Sequence, residues 1–186
     1  MKKLKSVSVL LLVACSLFAA PKAKAPAEPL TVQLSEGNLA ENQGTMQNQV
    51  FNSDGSVTYD AMMKYGGGGI SFYINGKKGI NLADYNTIHI EFDYKIGSVY
   101  KNTDMVPKFK VVTYGSGATF YNGGLDRAYF SADGLEGSMI FDCDISKVTG
   151  KAIKVAVPLN GWKWAEEGGS DDDLVTMTIK SITFLP

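Results

Sequence analysis

The sequence has few of the residues from which metal and nucleophilic sites are built. His89 is the only histidine among 186 residues, which excludes a metal site made of several histidines. No nucleophile-elbow motif is present, and His89 has no identifiable nucleophile beside it, so serine or cysteine catalysis is not indicated. A single histidine near a glutamate, here Glu91, is more often structural than catalytic.

Long runs of Ala, Leu, Glu and Lys, which favour helices, are also scarce. The chain is rich instead in residues typical of strands and turns, with 20 glycines, nine tyrosines and nine phenylalanines beside many threonines and valines. Only residues 80–85 and 145–149 are predicted as helical turns. The sequence therefore predicts an all-β protein of roughly eight to ten strands, an antiparallel two-sheet β-sandwich or jelly roll.

The N-terminal segment has the pattern of a secretory signal. Lys2, Lys3 and Lys5 precede a mainly apolar run over residues 7–20, and the small-residue tripeptide 23–25 follows. The run is shorter than the roughly 20 apolar residues of a transmembrane helix. We expect residues 1–25 to be removed and the mature protein to work outside the cytosol, either secreted or anchored at the cell surface.

Two fates of this segment stay open. Residues 12–15, Leu-Val-Ala-Cys, resemble the lipobox of bacterial lipoproteins, in which Cys15 would be acylated and would anchor the mature chain. Alternatively, Cys15 is discarded when the signal is cleaved after Ala25. In both cases Cys143 is the only thiol left to the folded domain, so no internal disulfide forms, and we expect Cys143 to fill the core.

The remaining chain has the size of one acidic domain. Removal of 25 of the 186 residues leaves 161, with a tether and first strand over 26–34 and a β-jelly-roll domain over 35–186. Thirteen basic residues remain against nineteen acidic ones, a formal charge of −6. This charge argues against nucleic acid as a partner, because nucleic-acid binding needs basic clusters. A membrane is expected only through the lipid anchor.

Several strands can be placed from alternation and turn signals. Residues 52–55, Asn-Ser-Asp-Gly, predict a tight hairpin, since Asp-Gly supplies the positive φ of such a turn. The polar segment 35–49 is expected to be a loop or a loosely packed arm, and the glycines 66–69 a bulge or bend. Residues 87–96 alternate most clearly between apolar and polar side chains. Further strands are predicted over residues 30–34, 70–74, 108–114, 138–142, 152–157 and 175–185.

Four segments carry a resemblance to a known family. They are Phe-Asn-Ser-Asp-Gly-Ser-Val-Thr-Tyr at 51–59, the glycines before Ile-Ser-Phe-Tyr-Ile at 70–74, residues 80–92 with their Leu-x-Asp-Tyr turn, and Ile-Lys-Ser-Ile-Thr-Phe at 179–184. From about residue 50 onwards, the chain resembles the galactose-binding-like β-jelly-roll carbohydrate-binding modules of bacterial polysaccharide-degrading systems. The resemblance implies two antiparallel sheets with a ligand face on one of them.

The resemblance also implies, in many members, a structural calcium between the first and last strand regions. Lys180 stands where such modules frequently carry an acidic residue, which speaks against calcium here. Glu36, Asn38 and Glu41 remain candidate oxygen ligands, although polar residues of an exposed loop are more often only solvated. The acidic run 171–173 is expected to be a solvated turn, and no cofactor is predicted.

Sugar recognition needs flat aromatic surfaces and a few fixed hydrogen-bond partners, so the candidate residues are aromatic and polar ones at water-facing strand positions. If their strands share one sheet, the predicted face holds Tyr73, His89, Glu91, Lys110 and Tyr114. Its predicted rim holds Arg127, Tyr129, Trp162 and Trp164. The two tryptophans are two residues apart, which in a strand puts both rings on one side as a platform. The alternative is that either ring caps the edge of the core.

Three functions fit the sequence. The first, which is our prediction, is non-catalytic binding of an extracellular polysaccharide or oligosaccharide. The second is a small jelly-roll glycoside hydrolase, which needs two carboxylates about 5–10 Å apart on opposite sides of the bond. Glu91 and Asp93 would lie side by side on one strand and do not meet that need, but a glutamate predicted in a loop, Glu136, Glu166 or Glu167, could still reach in. The third is a structural or adhesive surface lipoprotein without a sugar ligand.

Overall fold

The computed structural model describes residues 26–43, 45–64, 67–97, 107–115, 120–121, 128–131, 134–159, 164–166 and 168–186. The predicted signal segment with Cys15, and the rim candidates Arg127 and Trp162, lie outside these residues. No helix in the described ranges is long and apolar enough to cross a membrane.

The described residues form strands joined by turns and two short 3-10 segments, Glu36–Asn38 and Leu82–Asp84. The strands in these ranges are β1 Leu30–Thr31, β2 Leu39–Gln43, β3 Thr45–Phe51, β4 Val57–Met62, β5 Gly69–Tyr73, β6 Ile80–Asn81, β7 Thr87–Ile96, β8 Lys108–Gly115, β9 Phe120–Tyr121, β10 Ala128–Ser131, β11 Glu136–Asp144, β12 Lys151–Ala156 and β13 Leu174–Leu185.

These strands build two sheets in which neighbouring strands are antiparallel. The first sheet has the order β11-β7-β13-β4-β3, with β1 also paired to β13. The second sheet has the order β10-β8-β12-β5-β2, with β6 also paired to β12 and β9 to β8. The predicted all-β, two-sheet antiparallel sandwich is confirmed.

Alternating apolar side chains of the two sheets meet in one core. In β7, Ile88, Ile90 and Phe92 are buried, while the residues between them face away from the core. Phe92 of the first sheet and Phe109 of the second are in edge-to-face contact, with ring centres 4.9 Å apart. Because β7 runs from Thr87 to Ile96, as predicted, its outward residues can be assigned with the same alternation.

Tyr59 links the two sheets with a polar contact inside the core. Its hydroxyl donates a hydrogen bond of 3.3 Å to the carbonyl oxygen of Val157, which follows β12 of the other sheet. The side chain is completely buried, and burial raises the pKa of Tyr59 because it disfavours the charged phenolate. The phenol therefore stays neutral and can act as a donor to the opposite sheet.

The glycines before β5 allow a close approach of backbone segments. A Cβ atom on Gly67 would lie 2.1 Å from the carbonyl oxygen of Leu159, and one on Gly68 would lie 2.1 Å from that of Thr45. Gly67 also has a φ of 99°, as a bend requires. The predicted bend is therefore present, and the packing of neighbouring backbone is a second reason why side chains are excluded here.

Residues 35–49, predicted as a loop or a loosely packed arm, instead contain β2 and most of β3. These strands lie at the ends of their sheets, β2 in the second and β3 in the first. An edge strand meets water on more sides than a central one, and the side chains of β3 are accordingly half-buried or exposed. Polar composition therefore did not exclude a strand. Cys143 in β11 is buried, as predicted for a thiol that fills the core.

Candidate functional site

The face predicted from the sequence is divided between the two sheets. β7, with His89 and Glu91, belongs to the first sheet, whereas β5 and β8, with Tyr73, Lys110 and Tyr114, belong to the second. The expectation of one shared face is wrong, because alternation shows which residues point outward but not which strands are neighbours. The described strands therefore present two separate polar outer faces.

The outer face of the second sheet carries a row of two tyrosines and a lysine. Lys154 on β12 lies opposite Tyr73 on β5 and also opposite Tyr114 on β8. Directly opposite residues of antiparallel strands share one side of the sheet. The adjacent residues Phe72 and Val155 are fully buried in the core, so the row points outward. The three side chains of this tyrosine–lysine row are half-buried.

Lys77 approaches the same row from the turn that follows β5. Its Nζ lies 4.8 Å from the centre of the Tyr73 ring, and Nζ of Lys154 lies 5.7 Å from that centre. An ammonium within about 6 Å of an aromatic ring centre is attracted to the negative face of the ring. The backbone of Lys77 has a φ of 74°, the left-handed conformation that non-glycine residues rarely adopt. Two cations therefore flank one ring.

A row of smaller side chains lies beside the tyrosine–lysine row. Ser71, Ala156 and Val112 are paired across the same three strands and are fully buried. In the described part of the chain, the Ser71 hydroxyl has no hydrogen-bond partner, which is unusual for a buried polar atom. Lys110, two residues before Val112, continues the outward side of β8 and is half-buried. The lysine predicted for a ligand face thus lies on the same face as both tyrosines.

The outer face of the first sheet is occupied by side chains that bond to one another. His89 Nδ1 lies 2.7 Å from Oδ1 of Asp142 on β11, and its Nε2 lies 3.1 Å from Oε1 of Glu91. The hydrogen bonds to Asp142 and then to Glu91 raise the pKa of His89, against the opposing effect of burial. His89 and Glu91 therefore form one hydrogen-bonded group with Asp142.

Asp93 is bonded in a similar way on the same face. Its Oδ1 accepts a hydrogen bond of 2.5 Å from Ser138 Oγ and one of 2.6 Å from Lys180 Nζ. Burial acts to raise the pKa of Asp93, but the bonds from Lys180 and Ser138 outweigh it and lower the pKa. Glu91 and Asp93 lie two residues apart on one strand, each beside a basic partner. They do not stand on opposite sides of a gap, as glycoside hydrolysis requires.

Trp164 is a core residue and does not form a surface platform. It is only 6% exposed, and its Nε1 donates a hydrogen bond of 2.8 Å to Oδ2 of Asp173. Asp173 is fully buried and accepts a second bond, of 2.9 Å, from the backbone N–H of Ser170. The platform predicted for Trp164 is wrong, because Trp164 lies in a turn and the chain after the turn brings Asp173 back to the indole. The solvated turn predicted over 171–173 holds for Asp171 and Asp172, which are exposed, and is wrong for Asp173.

Of the candidate calcium ligands, Glu36 is exposed in the short 3-10 segment and Asn38 bonds to the backbone. The side-chain amide of Asn38 donates to the carbonyl oxygens of Gln33 and Tyr73, at 2.8 and 2.7 Å, and so fastens this segment to the end of β5. The side chain of Glu41, the third candidate ligand, is outside the described part of the structure. The same holds for the side chain of Tyr129, a candidate for the sugar-binding rim, although its backbone pairs with that of Lys110. Among the described residues, no three His, Cys, Asp or Glu side chains are grouped to hold a metal ion.

Two members of the second-sheet face, Lys154 and Lys77, were missed from the sequence. Lys154 had a usable signal, because it lies between the apolar residues Ile153 and Val155 in the strand predicted over 152–157, and residues that alternate with inward ones point outward. Lys77 had none, since the direction of a side chain in a turn depends on the backbone conformation there. The face therefore has more positive charge than was predicted.

The paired strands and shared core define a two-sheet β-sandwich, and known structures share this fold. The xylan-binding module CBM15 matches with a TM-score of 0.52 and 15% identity, over 85% of this chain and 96% of the module. The agarase AgWH50C matches with a TM-score of 0.50 and 8% identity, over 85% of this chain and 24% of the enzyme. A CBM4 structure matches with a TM-score of 0.43 and 10% identity, over 89% of this chain and 92% of that one. No protein-family model and no curated protein matches the sequence.

The likenesses to the xylan-binding module and to the agarase support the fold that the sequence resemblance implied. The first of them covers nearly the whole of a carbohydrate-binding module, whereas the agarase match covers a quarter of a longer enzyme. The fold thus occurs both as a binding module and as a part of a hydrolase chain. The fold alone therefore assigns no role to this chain, and a function has to be argued from the residues of the two outer faces.

Proposed function

We propose that the protein is a non-catalytic extracellular module that binds polysaccharide through the outer face of its second sheet. The observation that carries the proposal is the tyrosine–lysine row, in which Lys154 stands between Tyr73 and Tyr114. Aromatic rings offer apolar surface to the C–H face of a sugar ring, and phenol and ammonium groups can hydrogen-bond to its hydroxyls. The fold likeness to a xylan-binding module supports the proposal.

The spacing of the row favours a polymer over a single sugar. Neighbouring strands of a sheet lie about 4.8 Å apart, so Tyr73 and Tyr114, which are separated by β12, are roughly 10 Å apart across the sheet. A chain of sugars that crosses the strands meets both rings along its length. A monosaccharide reaches one of them at a time and gains less from the pair.

The first sheet is the weaker candidate for a ligand face. His89, Glu91 and Asp93 already bond to neighbouring side chains of the same sheet. A ligand would have to displace these partners before it gained bonds of its own. The same bonds leave the two carboxylates without the opposed arrangement of a glycoside hydrolase. We therefore assign His89 and Glu91 a structural role and propose no catalytic residue.

Export is part of the proposal and is supported by the N-terminal pattern of basic, apolar and small residues. Cys15 offers a lipid anchor, and the alternative is release after cleavage behind Ala25. Expression of the full sequence, fractionation into medium and membrane, and the mass of the recovered chain distinguish these outcomes. Recovery of the unprocessed chain from the cytosol would contradict export.

Affinity electrophoresis tests the binding function itself. The exported chain is run through native gels that contain xylan, mixed-linkage glucan, mannan, pectin or a soluble cellulose derivative, with a reducing-sugar assay on the same samples. We expect retardation in at least one gel without release of sugar. Release of sugar would support the hydrolase, and unchanged migration in all gels would support a structural or adhesive protein.

A further inference from the structure

The two outer faces differ in the sign of their charge. The strands of the first sheet carry six acidic residues, Asp60, Glu91, Asp93, Glu136, Asp142 and Asp144, against the basic residues Lys95, Lys180 and His89. The strands of the second sheet carry four lysines and one acidic residue, Glu41 on the edge strand β2. Two more lysines lie in the turn after β5. Although the chain is acidic overall, six lysines lie in the strands of the second sheet or in the turn after β5: Lys77, Lys78, Lys108, Lys110, Lys151 and Lys154.

The register places the four strand lysines on the outer face. Lys154 belongs to the tyrosine–lysine row, and Lys108 and Lys110 alternate with the buried Phe109 of β8. Lys151 precedes Ala152, which is buried opposite Ile80, so its side chain points away from the core. The positive charge and the two tyrosines therefore share one surface.

We propose that the polysaccharide bound by this face is anionic, and that Lys77 and Lys154 hold its carboxylate or sulfate groups beside Tyr73. This rests on the proposed function and adds the class of glycan. The two ammonium groups lie within 6 Å of the centre of the Tyr73 ring, so an acidic group on a sugar that packs on this ring comes close to both positive charges.

The backbone at Lys77 adds an independent reason. The turn holds Asn75, Gly76, Lys77 and Gly79 at positive φ, and asparagine and glycine are the residues expected in that conformation. A lysine there is strained, yet its ammonium is directed to the Tyr73 ring at 4.8 Å. Backbone strain that persists at a surface turn suggests that the side chain is used.

The test compares polysaccharides that differ only in charge. The exported chain is run through gels with polygalacturonate or its carboxyl-reduced product, and with dextran sulfate or dextran. The double variant Lys77→Gln/Lys154→Gln removes the charges beside Tyr73. The matched control, Lys95→Gln/Lys147→Gln, removes the same net charge from two exposed lysines that lie outside the second sheet. Sodium chloride is varied, because charge-assisted binding weakens with salt.

We expect at least one anionic polymer to retard the unmodified chain. The double variant should lose affinity for that polymer by about tenfold or more, and the control variant should lose less than about twofold. Binding to polygalacturonate alone identifies carboxylate as the anion, and binding to dextran sulfate alone identifies sulfate; both support the proposal. Equal retardation by the charged and neutral members of each pair overturns the anionic preference and leaves the binding function intact. Unchanged migration with every polymer, neutral or charged, overturns the binding function itself.

Discussion

The indole nitrogen of Trp164 donates a hydrogen bond to the carboxylate of Asp173, 2.8 Å away, and both side chains are buried. A buried carboxylate without a donor is costly, so the pair fixes the turn against the core, to which Trp164 belongs. Gly169 completes the arrangement, because a Cβ atom there would lie 2.2 Å from the Trp164 nitrogen. Trp164, which was predicted to form part of a sugar-binding platform, thus holds the chain in place before β13.

Substitution of Trp164 should therefore affect stability. Trp164→Ala should lower the free energy of unfolding by about 3–5 kcal/mol, because it leaves a cavity and deprives Asp173 of a donor. Trp164→Phe keeps most of the ring and should cost less, about 1.5–3 kcal/mol for the lost bond to a charged group. Chemical denaturation measures both values. A stable Trp164→Ala variant that had lost polysaccharide binding would contradict the core assignment.

The strained turn predicts an unusual result for Lys77. Lys77→Asn removes the ammonium but suits the left-handed conformation better, because asparagine tolerates it. The melting temperature should stay the same or rise, by an amount corresponding to about 1 kcal/mol, while binding to the anionic polymer weakens. Lys78→Asn, in the same exposed turn but without a positive φ, serves as the control for the melting temperature and should not raise it. A clear drop in melting temperature would show that Lys77 is needed for folding.

His89 should make stability depend on pH. Its pKa is raised in the folded protein by Asp142 and Glu91, so the protonated form stabilises the fold. This contribution is complete below the unfolded pKa of about 6.5 and is lost as the pH rises through the folded value. His89→Gln should remove that part of the pH dependence. Denaturation at several pH values checks this, and an unchanged slope in the variant would exclude His89 as its source.

The glycine run predicts a contrast between two alanine substitutions. A Cβ atom at Gly68 would meet backbone atoms of Thr45 and Met62, at 2.1 and 2.9 Å, and main chain cannot move aside cheaply. Gly68→Ala should lower the free energy of unfolding by about 1–3 kcal/mol. Gly37→Ala, where nothing lies within 4 Å, should change it little. Equal effects of the two substitutions would disprove the close approach.

Local patterns in the sequence were enough for the central strands. β7 has the predicted bounds because each of its inward positions is apolar and each outward one polar. The hairpin between β3 and β4 was predicted from Asp-Gly for a similar reason. In both cases the signal lies within a few residues of the element that it specifies.

Features that depend on distant parts of the chain could not be predicted in this way. The separation of His89 from Tyr73 is a matter of strand order, and nothing in the two strands themselves records it. The burial of Trp164 depends on Asp173 and on the turn between them. The polar edge strand β3 resembled a loop because its pairing with β4, and not a continuous apolar face, makes it a strand.

The most direct test of the account is affinity electrophoresis of Tyr114→Ala beside Ile140→Ala. Tyr114 belongs to the tyrosine–lysine row, whereas Ile140 is 70% exposed on the strand β11 of the first sheet. With a polysaccharide that retards the unmodified chain, we predict that Tyr114→Ala migrates freely and Ile140→Ala is still retarded, while both variants keep the original melting temperature within a few degrees. Retardation of Tyr114→Ala with loss of it in Ile140→Ala would place the ligand on the first sheet and contradict the account.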